Sequence, residues 1–197
     1  MGTVVSITSG KGGTGKTSIT GGVGCSLALM GKRVLCIDMD IGLRNLDITL
    51  GLNDRALMDF SDVALGRCPL ARAAVDHPDI QGLALLTAPM SLPASLTHEK
   101  VRALLDTART LYDYILIDSP AGLGGGFRLA VCGADRAIVI STNDASSLRD
   151  AQRTVVELDQ LRQGHLVMNR IQTRLLRKLR TTIDDAMDAA GLPLLGV

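Results

Sequence analysis

The sequence predicts an α/β fold in which helices cover both faces of a doubly wound, mostly parallel sheet. Short apolar runs rich in β-branched residues alternate with longer amphipathic runs along the 197 residues, which is typical of right-handed βαβ units. Most of the short runs are apolar through their middle, as expected for strands that are covered on both faces. The polar residues that could carry chemistry fall where strands end, at the edge where such sheets bind ligands.

The strands and helices follow one another in a regular order. The predicted strands are Val4–Thr8, Arg33–Asp38, Leu83–Ala88, Tyr114–Asp118, Ala137–Thr142 and His165–Ile171. The predicted helices are Lys16–Met30, Thr97–Thr110, Ser146–Leu161 and Lys178–Ala190, with a weaker prediction for Asp54–Leu65. Gly31, Gly164 and Gly191 each follow a helical run and suit left-handed C-caps. Pro193–Val197 resembles the start of a further strand with no covering helix, so we expect the C-terminal part of the fold to be incomplete at Val197.

The composition fits one globular domain spanning residues 1–197. Hydrophobic residues make up 46% and charged residues 21% of the chain, which excludes a disordered protein. The net charge of +1 implies no overall attraction to nucleic acid or to anionic membranes. The sequence shows neither a signal peptide nor an apolar run long enough to span a bilayer. Its four cysteines form no C-x-x-C pair, which favours free thiols in a reducing cytoplasm.

A glycine-rich stretch after the first predicted strand, Gly10 to Thr17, fits the pattern G-x-x-x-x-G-K-[ST]. Its glycines allow successive N–H groups to point at phosphate oxygens, and the helix N-terminus that follows adds a partial positive charge. Lys16 is predicted to bridge the β- and γ-phosphates, and Thr17 to offer its hydroxyl to Mg²⁺. The predicted phosphate-binding residues are Gly10, Lys11, Gly12, Gly13, Thr14, Gly15, Lys16, Thr17 and Ser18.

A second lysine, Lys11, lies inside this loop. It completes the deviant pattern K-G-G-x-G-K-[ST], so the stretch resembles the MinD/ParA family of P-loop ATPases. The resemblance implies a nucleotide-sandwich homodimer that forms on ATP, with ADP and Mg²⁺ as the other ligands of the cycle. In that dimer Lys11 would reach the partner's phosphates and act as a catalytic charge, where other NTPases use an arginine finger.

One predicted strand runs into a pair of acidic residues. Arg33–Asp38 ends in Asp38, and Asp40 follows two residues later, so an extended backbone would point both carboxylates to the same side. A carboxylate there could position and partly deprotonate the attacking water. The segment Asp40–Asp47 resembles the first switch segment of the MinD branch, and the resemblance assigns water activation to Asp40. Asp40 is also a candidate magnesium ligand.

A second strand, Tyr114–Asp118, ends in an acid in the Walker B arrangement. Asp118 is predicted to hold Mg²⁺ through water and to hydrogen-bond Thr17. The next residues, Ser119–Gly122, again resemble the MinD branch. Gly122–Gly126 suits a switch that moves when the γ-phosphate leaves, and its three consecutive glycines, which depart from the family's pattern, predict a more mobile switch.

The predicted base is adenine. Guanine selection in P-loop GTPases uses N-K-x-D, whereas this chain places Arg170 and Gln172 after Asn169, so the guanine-reading aspartate is missing. Asn169 can pair with N6 and N7 of adenine, and the resemblance places an adenine contact there, with Arg170 beside it. ATP is therefore predicted over GTP.

The leading functional hypothesis is a slow regulatory ATPase that positions the division machinery or a similar polar apparatus. Thr142–Asp150 resembles the partner-facing helix start of the MinD branch, which implies a regulatory protein partner. Such proteins alternate between an ATP dimer on a membrane and an ADP monomer in the cytoplasm. They hold the inner face of the cell membrane through a C-terminal amphipathic helix, and no such helix appears by Val197, so membrane attachment rests on the resemblance alone.

Two further classes of function remain as alternatives. A DNA-bound partition ATPase would contact DNA phosphates through a run of basic residues, namely Arg170, Arg174, Arg177, Lys178 and Arg180. Acidic residues soon follow this run and offset its charge. An iron–sulfur carrier would need two cysteines per chain. Cys132 falls at a plausible place, but its companion is missing from residues 90–100, which makes this class the least favoured.

Overall fold

The computed structural model describes residues 1–158, 163–174, 176 and 182–197. Eight strands among these residues form one sheet in the spatial order β3-β4-β2-β5-β1-β6-β7-β8. They are β1 (Thr3–Thr8), β2 (Val34–Asp38), β3 (Val75–Asp76), β4 (Leu83–Leu86), β5 (Tyr114–Asp118), β6 (Arg136–Ser141), β7 (Gln163–Met168) and β8 (Leu194–Gly196). Neighbouring strands pair in parallel except β3 and β4, which pair antiparallel. The predicted doubly wound, mostly parallel sheet is confirmed.

The helices of the described residues connect these strands. They are α1 (Lys16–Leu29), α2 (Leu46–Thr49), α3 (Phe60–Ala64), α4 (Leu70–Ala73), α5 (His98–Leu111), α6 (Gly125–Val131), α7 (Ala145–Glu157) and α8 (Ile183–Ala190). Side-chain caps define several of their starts, since Thr97 caps α5 and Asp144 caps α7. Parts of two predicted helices, 159–161 and 178–181, lie outside the described residues. None of the helices described is both long and apolar enough to cross a membrane.

Alternation along β1 divides the core between the two faces of the sheet. Val5 and Ile7 pack into an apolar cluster with residues of α1 and α2, whereas Val4 packs with the buried residues of α5 on the other face. Helix α1 lies very close to the sheet at Gly24, where an added Cβ would stand 2.6 Å from the Sγ of Cys36. The chain requires glycine at this point so that α1, and the loop that precedes it, can sit close to β2.

Two predictions of local structure are wrong. Asp54–Leu65 is helical only over α3, because Asp54 adopts a left-handed φ of 60° and the capping box at Asp59 starts the helix late. Gly164 is not a C-cap: it lies in β7, opposite Ala137 of β6. Gly31 and Gly191 do take the predicted left-handed conformation. The prediction of a further strand at Pro193–Val197 agrees with β8.

The glycine-rich segment after β5 leads directly into helix α6. Only Gly122 has a positive φ, 83°. Gly125 and Gly126 form the first turn of α6, and an added Cβ on Gly126 would stand 2.9 Å from Pro120. The absence of a side chain at Gly126 allows α6 to pack against the turn that leaves β5. An added Cβ on Gly124 or Gly125 would meet nothing within 4 Å, and the mobility of this segment stays a prediction.

The topology brings the predicted polar residues to one edge of the sheet. The phosphate loop follows β1, Asp38 and Asp118 end the adjacent strands β2 and β5, and Asn169 follows β7. Because these strands are parallel, their carboxyl ends face the same way. This is the edge at which open α/β sheets bind ligands.

Candidate functional site

Two glycines give the loop between β1 and α1 its shape. Gly13 and Gly15 have φ values of 76° and 98°, which lie in the left-handed region that side chains disfavour. Gly10 is needed for a different reason, since its Cβ would stand 2.5 Å from the carbonyl oxygen of Asp150 in α7. The loop is thus curved by its own torsions and packed against the backbone of a distant helix.

Lys16 supplies a buried positive charge at the base of this loop. It occupies the first turn of α1 and is only 7% exposed. Its Nζ donates a hydrogen bond to the Oγ of Ser9 at 3.1 Å. Burial lowers the pKa of Lys16, and the nearby carboxylates of Asp118 and Asp40 oppose that shift. A desolvated ammonium at the N-terminus of a helix is suited to binding phosphate.

Asp38 and Asp118 lie side by side at the ends of β2 and β5. Both are about 1% exposed. Asp38 fastens the loop that follows it, since its carboxylate accepts hydrogen bonds from the backbone N–H of Asp40 at 2.8 Å and of Leu46 at 3.1 Å. Asp118 Oδ1 accepts a longer bond of 3.5 Å from the hydroxyl of Thr20, while Oδ2 is buried with no hydrogen-bond partner among the described residues.

Burial changes the acidity of this pair. It raises the pKa of Asp38 to about 6, against the two backbone hydrogen bonds that lower it. It raises the pKa of Asp118 to about 7, where the nearby polar side chain of Thr17 and the charge of Lys16 offset only part of the effect. A buried carboxylate with one oxygen unpartnered, next to a threonine hydroxyl, presents the hard oxygen ligands that Mg²⁺ prefers. Asp118 and Thr17 therefore fit the predicted magnesium site.

We predict that the nucleotide-free protein loses stability as the pH rises from about 4 to 7. Asp38 and Asp118 bind protons more tightly in the folded chain than in the unfolded chain, so their ionisation favours unfolding, by at most about 1.4 kcal/mol per pH unit each. Carboxyls whose pKa values are lowered in the folded chain, such as Asp144, stabilise the fold when ionised and lose this stabilisation only at lower pH.

Urea denaturation measures this effect. The free energy of unfolding should be lower at about pH 7 than at about pH 5, and the isosteric Asp118→Asn variant should show a smaller difference. A free energy that rises over this window in the unsubstituted chain would contradict the burial of the pair.

Asp40 begins the turn that leaves β2. Its carbonyl oxygen accepts hydrogen bonds from the backbone N–H of Leu43 at 3.3 Å and of Arg44 at 3.4 Å, and Arg44 takes a left-handed φ of 48°. Burial raises the pKa of the half-buried Asp40 carboxyl, and Lys16 opposes the rise. Within the described part of the chain that carboxylate accepts no hydrogen bond, so its oxygens are available to a water molecule or a proton. Lys16 is near enough for its charge to act on the carboxylate.

Lys11 forms an ion pair within its own chain. Its Nζ lies 3.2 Å from Oδ1 of Asp144, and both side chains are 43% exposed. Asp144 also accepts hydrogen bonds from the Thr142 hydroxyl at 2.6 Å and from the Ser147 N–H at 3.0 Å. These bonds, above all that from Thr142, hold the pKa of Asp144 below its usual value. The second lysine of the loop is therefore tied to the first turn of α7.

Asn169 and Arg170 reach the same region from the end of β7. Asn169 Nδ2 donates to the carbonyl oxygen of Thr14 at 2.8 Å. Arg170, in a left-handed conformation with φ 54°, lines an open cavity of about 220 Å³ whose other walls are Lys11–Thr14, Thr142–Asp144 and Gln172. The structure thus brings all the predicted site residues to one edge of the sheet.

Three contacts of this site were not predicted from the sequence. Ser9 holds the ammonium of Lys16, Thr20 approaches Asp118, and Asp144 pairs with Lys11. The sequence contains an indication for two of these residues. Thr20 stands one helical turn after Lys16, and Asp144 stands three residues before Ser147, in the pattern of a helix N-cap. The pairing of Asp144 with Lys11 had none, because it joins segments 133 residues apart.

The residues behind the alternative functions are only partly described. Arg170 and Arg174 are exposed, while Arg177, Lys178 and Arg180 lie outside the described residues. Cys132 is half-buried, its thiol faces the carbonyl oxygen of His98 at 3.8 Å, and burial raises its pKa. A raised pKa disfavours the thiolate that an iron–sulfur cluster needs.

Known proteins match this chain along its length. The model of the AAA domain family matches residues 2–172. The septum site-determining protein MinD of Bacillus subtilis is 39% identical over 203 residues, covering 100% of this chain and 76% of the relative.

Solved structures give the same result. MinD in the MinC:MinD cell division protein complex of Aquifex aeolicus superposes with a TM-score of 0.89 at 38% identity, over 98% of this chain and 79% of that one. The septum site-determining protein MinD from Pyrococcus horikoshii, solved with Mg-ADP, gives a TM-score of 0.81 at 28% identity, over 100% of this chain and 81% of that one. With the two-lysine phosphate loop and the two strand-ending carboxylates, these matches show that the chain belongs to the AAA-domain P-loop ATPases and, among them, to the MinD branch of the MinD/ParA family.

Proposed function

We propose that residues 1–197 act as a single magnesium-dependent ATPase domain that dimerises on ATP and serves as a MinD-like spatial regulator of cell division. The observation that carries the proposal is the arrangement of the two loop lysines. Lys16 is buried at the base of the loop, while Lys11 is half-exposed at its rim. This difference in exposure supports a division in which Lys16 would bind the phosphates of its own subunit and Lys11 those of a second subunit.

The site residues divide the work of binding. The amides of Gly10–Thr17 and the ammonium of Lys16 would hold the phosphates of ATP or ADP, with Ser18 in the same first turn of α1. Thr17 and Asp118, the latter through water, would hold Mg²⁺, with Asp40 as a further candidate. The magnesium ion supplies charge neutralisation of the phosphates when it is bound. Asn169 and Arg170 lie at the side of the loop where the adenine base is proposed to bind.

Asp40 is the proposed general base. It stands at the start of a turn whose two ends are fastened to Asp38, and the charge of Lys16 acts on its carboxylate. A carboxylate that accepts no other hydrogen bond can orient a water molecule and take its proton as the water attacks the γ-phosphorus. Lys11 of a second subunit would neutralise the charge that develops on the phosphate oxygens.

The ion pair of Lys11 with Asp144 is weak enough for Lys11 to leave it and contact the nucleotide of a second subunit. Both side chains are 43% exposed, and a pair so exposed contributes only about 0–1 kcal/mol to stability. A triphosphate carries more negative charge than a single carboxylate, so Lys11 would gain by leaving Asp144 for the partner's nucleotide. In an isolated subunit Lys11 would then stay away from the reacting phosphate, so we expect a slow basal rate.

The proposal extends to the partner and the place of action. The Aquifex relative was solved in a complex named MinC:MinD; by analogy, we propose that a regulatory protein binds this chain near α7. We further propose a cytoplasmic protein that associates with the inner face of the cell membrane. Binding to DNA is the less favoured alternative, since Asp184, Asp185 and Asp188 follow the basic run and offset its charge.

The basal ATPase rate per subunit should rise with protein concentration, because Lys11 acts on the nucleotide of the second subunit. Steady-state phosphate release over a wide dilution series measures it. Lys11→Ala should still bind Mg·ATP but should remain monomeric on size-exclusion chromatography and show a low, concentration-independent rate. Lys32→Ala, which removes an exposed lysine far from the loop, is the matched control. A rate per subunit that stays flat on dilution of the unsubstituted protein would refute action in trans.

A further inference from the structure

A side chain from the end of β7 reaches across the sheet to the phosphate loop. We infer that Asn169 is a positioning residue that fixes the shape of this loop before any nucleotide binds, in addition to any contact with the base. The inference rests on the proposed nucleotide site and adds a role that does not depend on the identity of the base.

The contact joins parts of the chain that are far apart. Asn169 Nδ2 donates to the Thr14 carbonyl oxygen at 2.8 Å across a separation of 155 residues. Strand β7 is not a neighbour of β1, since β6 lies between them. Because Asn169 sits beyond the end of β7, its side chain can pass over the end of β6 and contact the loop that follows β1. The hydrogen bond therefore connects the loop to the end of β7, a strand that does not pair with β1.

Asn169 is itself held in place by its backbone and side chain. Its backbone N–H donates to the carbonyl oxygen of Ser141 at 2.8 Å, at the end of β6. Its Oδ1 accepts from the backbone N–H of Arg170 at 2.9 Å, and the left-handed conformation of Arg170 belongs to the same turn. With both ends of the amide bonded, the orientation of the Nδ2 group toward Thr14 is set by the local structure and not by a ligand.

The target of this bond is the peptide that precedes α1. Thr14 is only 2% exposed, and Gly15 after it is the left-handed N-cap residue of α1. An added Cβ on Gly15 would overlap the Asn169 amide, so the asparagine lies directly against this glycine. In a trans peptide the C=O and the following N–H point in opposite directions. Holding the Thr14 carbonyl toward Asn169 thus fixes the direction of the Gly15 N–H, one of the amides on which phosphate binding depends.

The tether and base recognition use different parts of the same amide. One N–H and one lone pair of Asn169 are taken by Thr14 and Arg170, and an asparagine amide has a second of each. A base could use the remaining pair. The two roles can be separated with a ligand that has phosphates but no base.

The experiment compares Asn169→Ala with Asn53→Ala, which removes the same amide from an exposed loop. Calorimetry gives the affinities for Mg·ADP and for Mg·tripolyphosphate. Loss of one buried hydrogen bond predicts that Asn169→Ala weakens both ligands by a similar factor, about five- to tenfold, while Asn53→Ala weakens neither. In steady-state hydrolysis the loss should appear in KM with little change in kcat, as for a group that aids ground-state and transition-state binding equally.

Hydrogen exchange gives a second reading without any ligand. Amides of the phosphate loop and the first turn of α1 should exchange faster in Asn169→Ala than in the unsubstituted chain, with the rest of the protein unchanged. Asn169→Leu, which is close in size but cannot donate, should behave like Asn169→Ala and shows that lost volume is not the cause.

Two results would overturn the inference. The first is weaker binding of Mg·ADP with unchanged binding of Mg·tripolyphosphate, which would make Asn169 a base contact alone. The second is unchanged exchange of the loop amides in both variants. If the unsubstituted protein bound neither ligand, the proposed function would fail, and the exchange measurement would still decide whether the tether exists.

Discussion

Lys16→Ala should abolish detectable binding of Mg·ATP and Mg·ADP. Lys16 is the buried cation at the base of the loop, and its pKa is lowered because burial strips its ammonium of water. Hydrogen bonds to charged groups contribute roughly 1.5–3 kcal/mol each. An ammonium that contacts two phosphates is therefore expected to strengthen binding by roughly a hundredfold or more. Isothermal titration calorimetry of the purified variant measures the loss directly.

The control for this experiment is again Lys32→Ala, which also removes one positive charge but from the exposed turn after α1. It should bind nucleotide as the unsubstituted protein does, because a distant exposed charge is screened by salt. Circular dichroism should show both variants folded. Nucleotide affinity that survives in Lys16→Ala would mean that the loop does not bind phosphate in the proposed way, and the functional proposal would fail with it.

Asp40→Ala should bind Mg·ATP but hydrolyse it at least roughly a hundredfold more slowly, the usual loss when a general base is removed. The carboxylate makes no hydrogen bond within the described residues and does not fasten the turn, which Asp38 does through two backbone N–H groups. Removing it should thus leave the loop in place. Because ATP is then not consumed, the variant should accumulate as a dimer on size-exclusion chromatography.

Two further variants make this result specific. Asp106→Ala removes a carboxylate that is 73% exposed on α5 and should hydrolyse ATP normally. Asp40→Asn keeps the size of the side chain and loses its basicity, so it should resemble Asp40→Ala in rate. An unchanged turnover in Asp40→Ala would remove Asp40 from the role of base, whatever its effect on dimerisation.

Local pattern predicted much of this molecule because its main signals are local. The strand Tyr114–Asp118 has the predicted bounds, and α1 differs from its prediction by one residue at its end. The bounds of both elements follow from apolar runs that have glycine or acidic residues next to them. The phosphate loop was predicted from the same kind of signal, since the left-handed torsions of Gly13 and Gly15 are ones that glycine adopts at no steric cost.

The remaining features depend on what each segment meets in the folded chain. The first turn of α6 contains Gly125 and Gly126, although glycine has a low helix propensity, and Gly126 lies close to Pro120. The spatial order of the strands places β5 between β1 and β2, although it follows both in sequence. The use of Asp38 as a fastening for two backbone N–H groups needs the turn to be known first. These features depend on tertiary contacts, which the spacing of residues along the sequence does not reveal.

The carboxylate of Asp144 serves two neighbours at once, capping the first turn of α7 and balancing the charge of Lys11. In the proposed ATP dimer the lysine would withdraw while the cap stayed, which would leave the negative charge of Asp144 without a counter-ion at the start of the helix. The electrostatic potential over that part of the surface would then become more negative. A basic protein approaching α7 would meet a different surface on a paired subunit than on a solitary one, and could distinguish the two without touching the nucleotide.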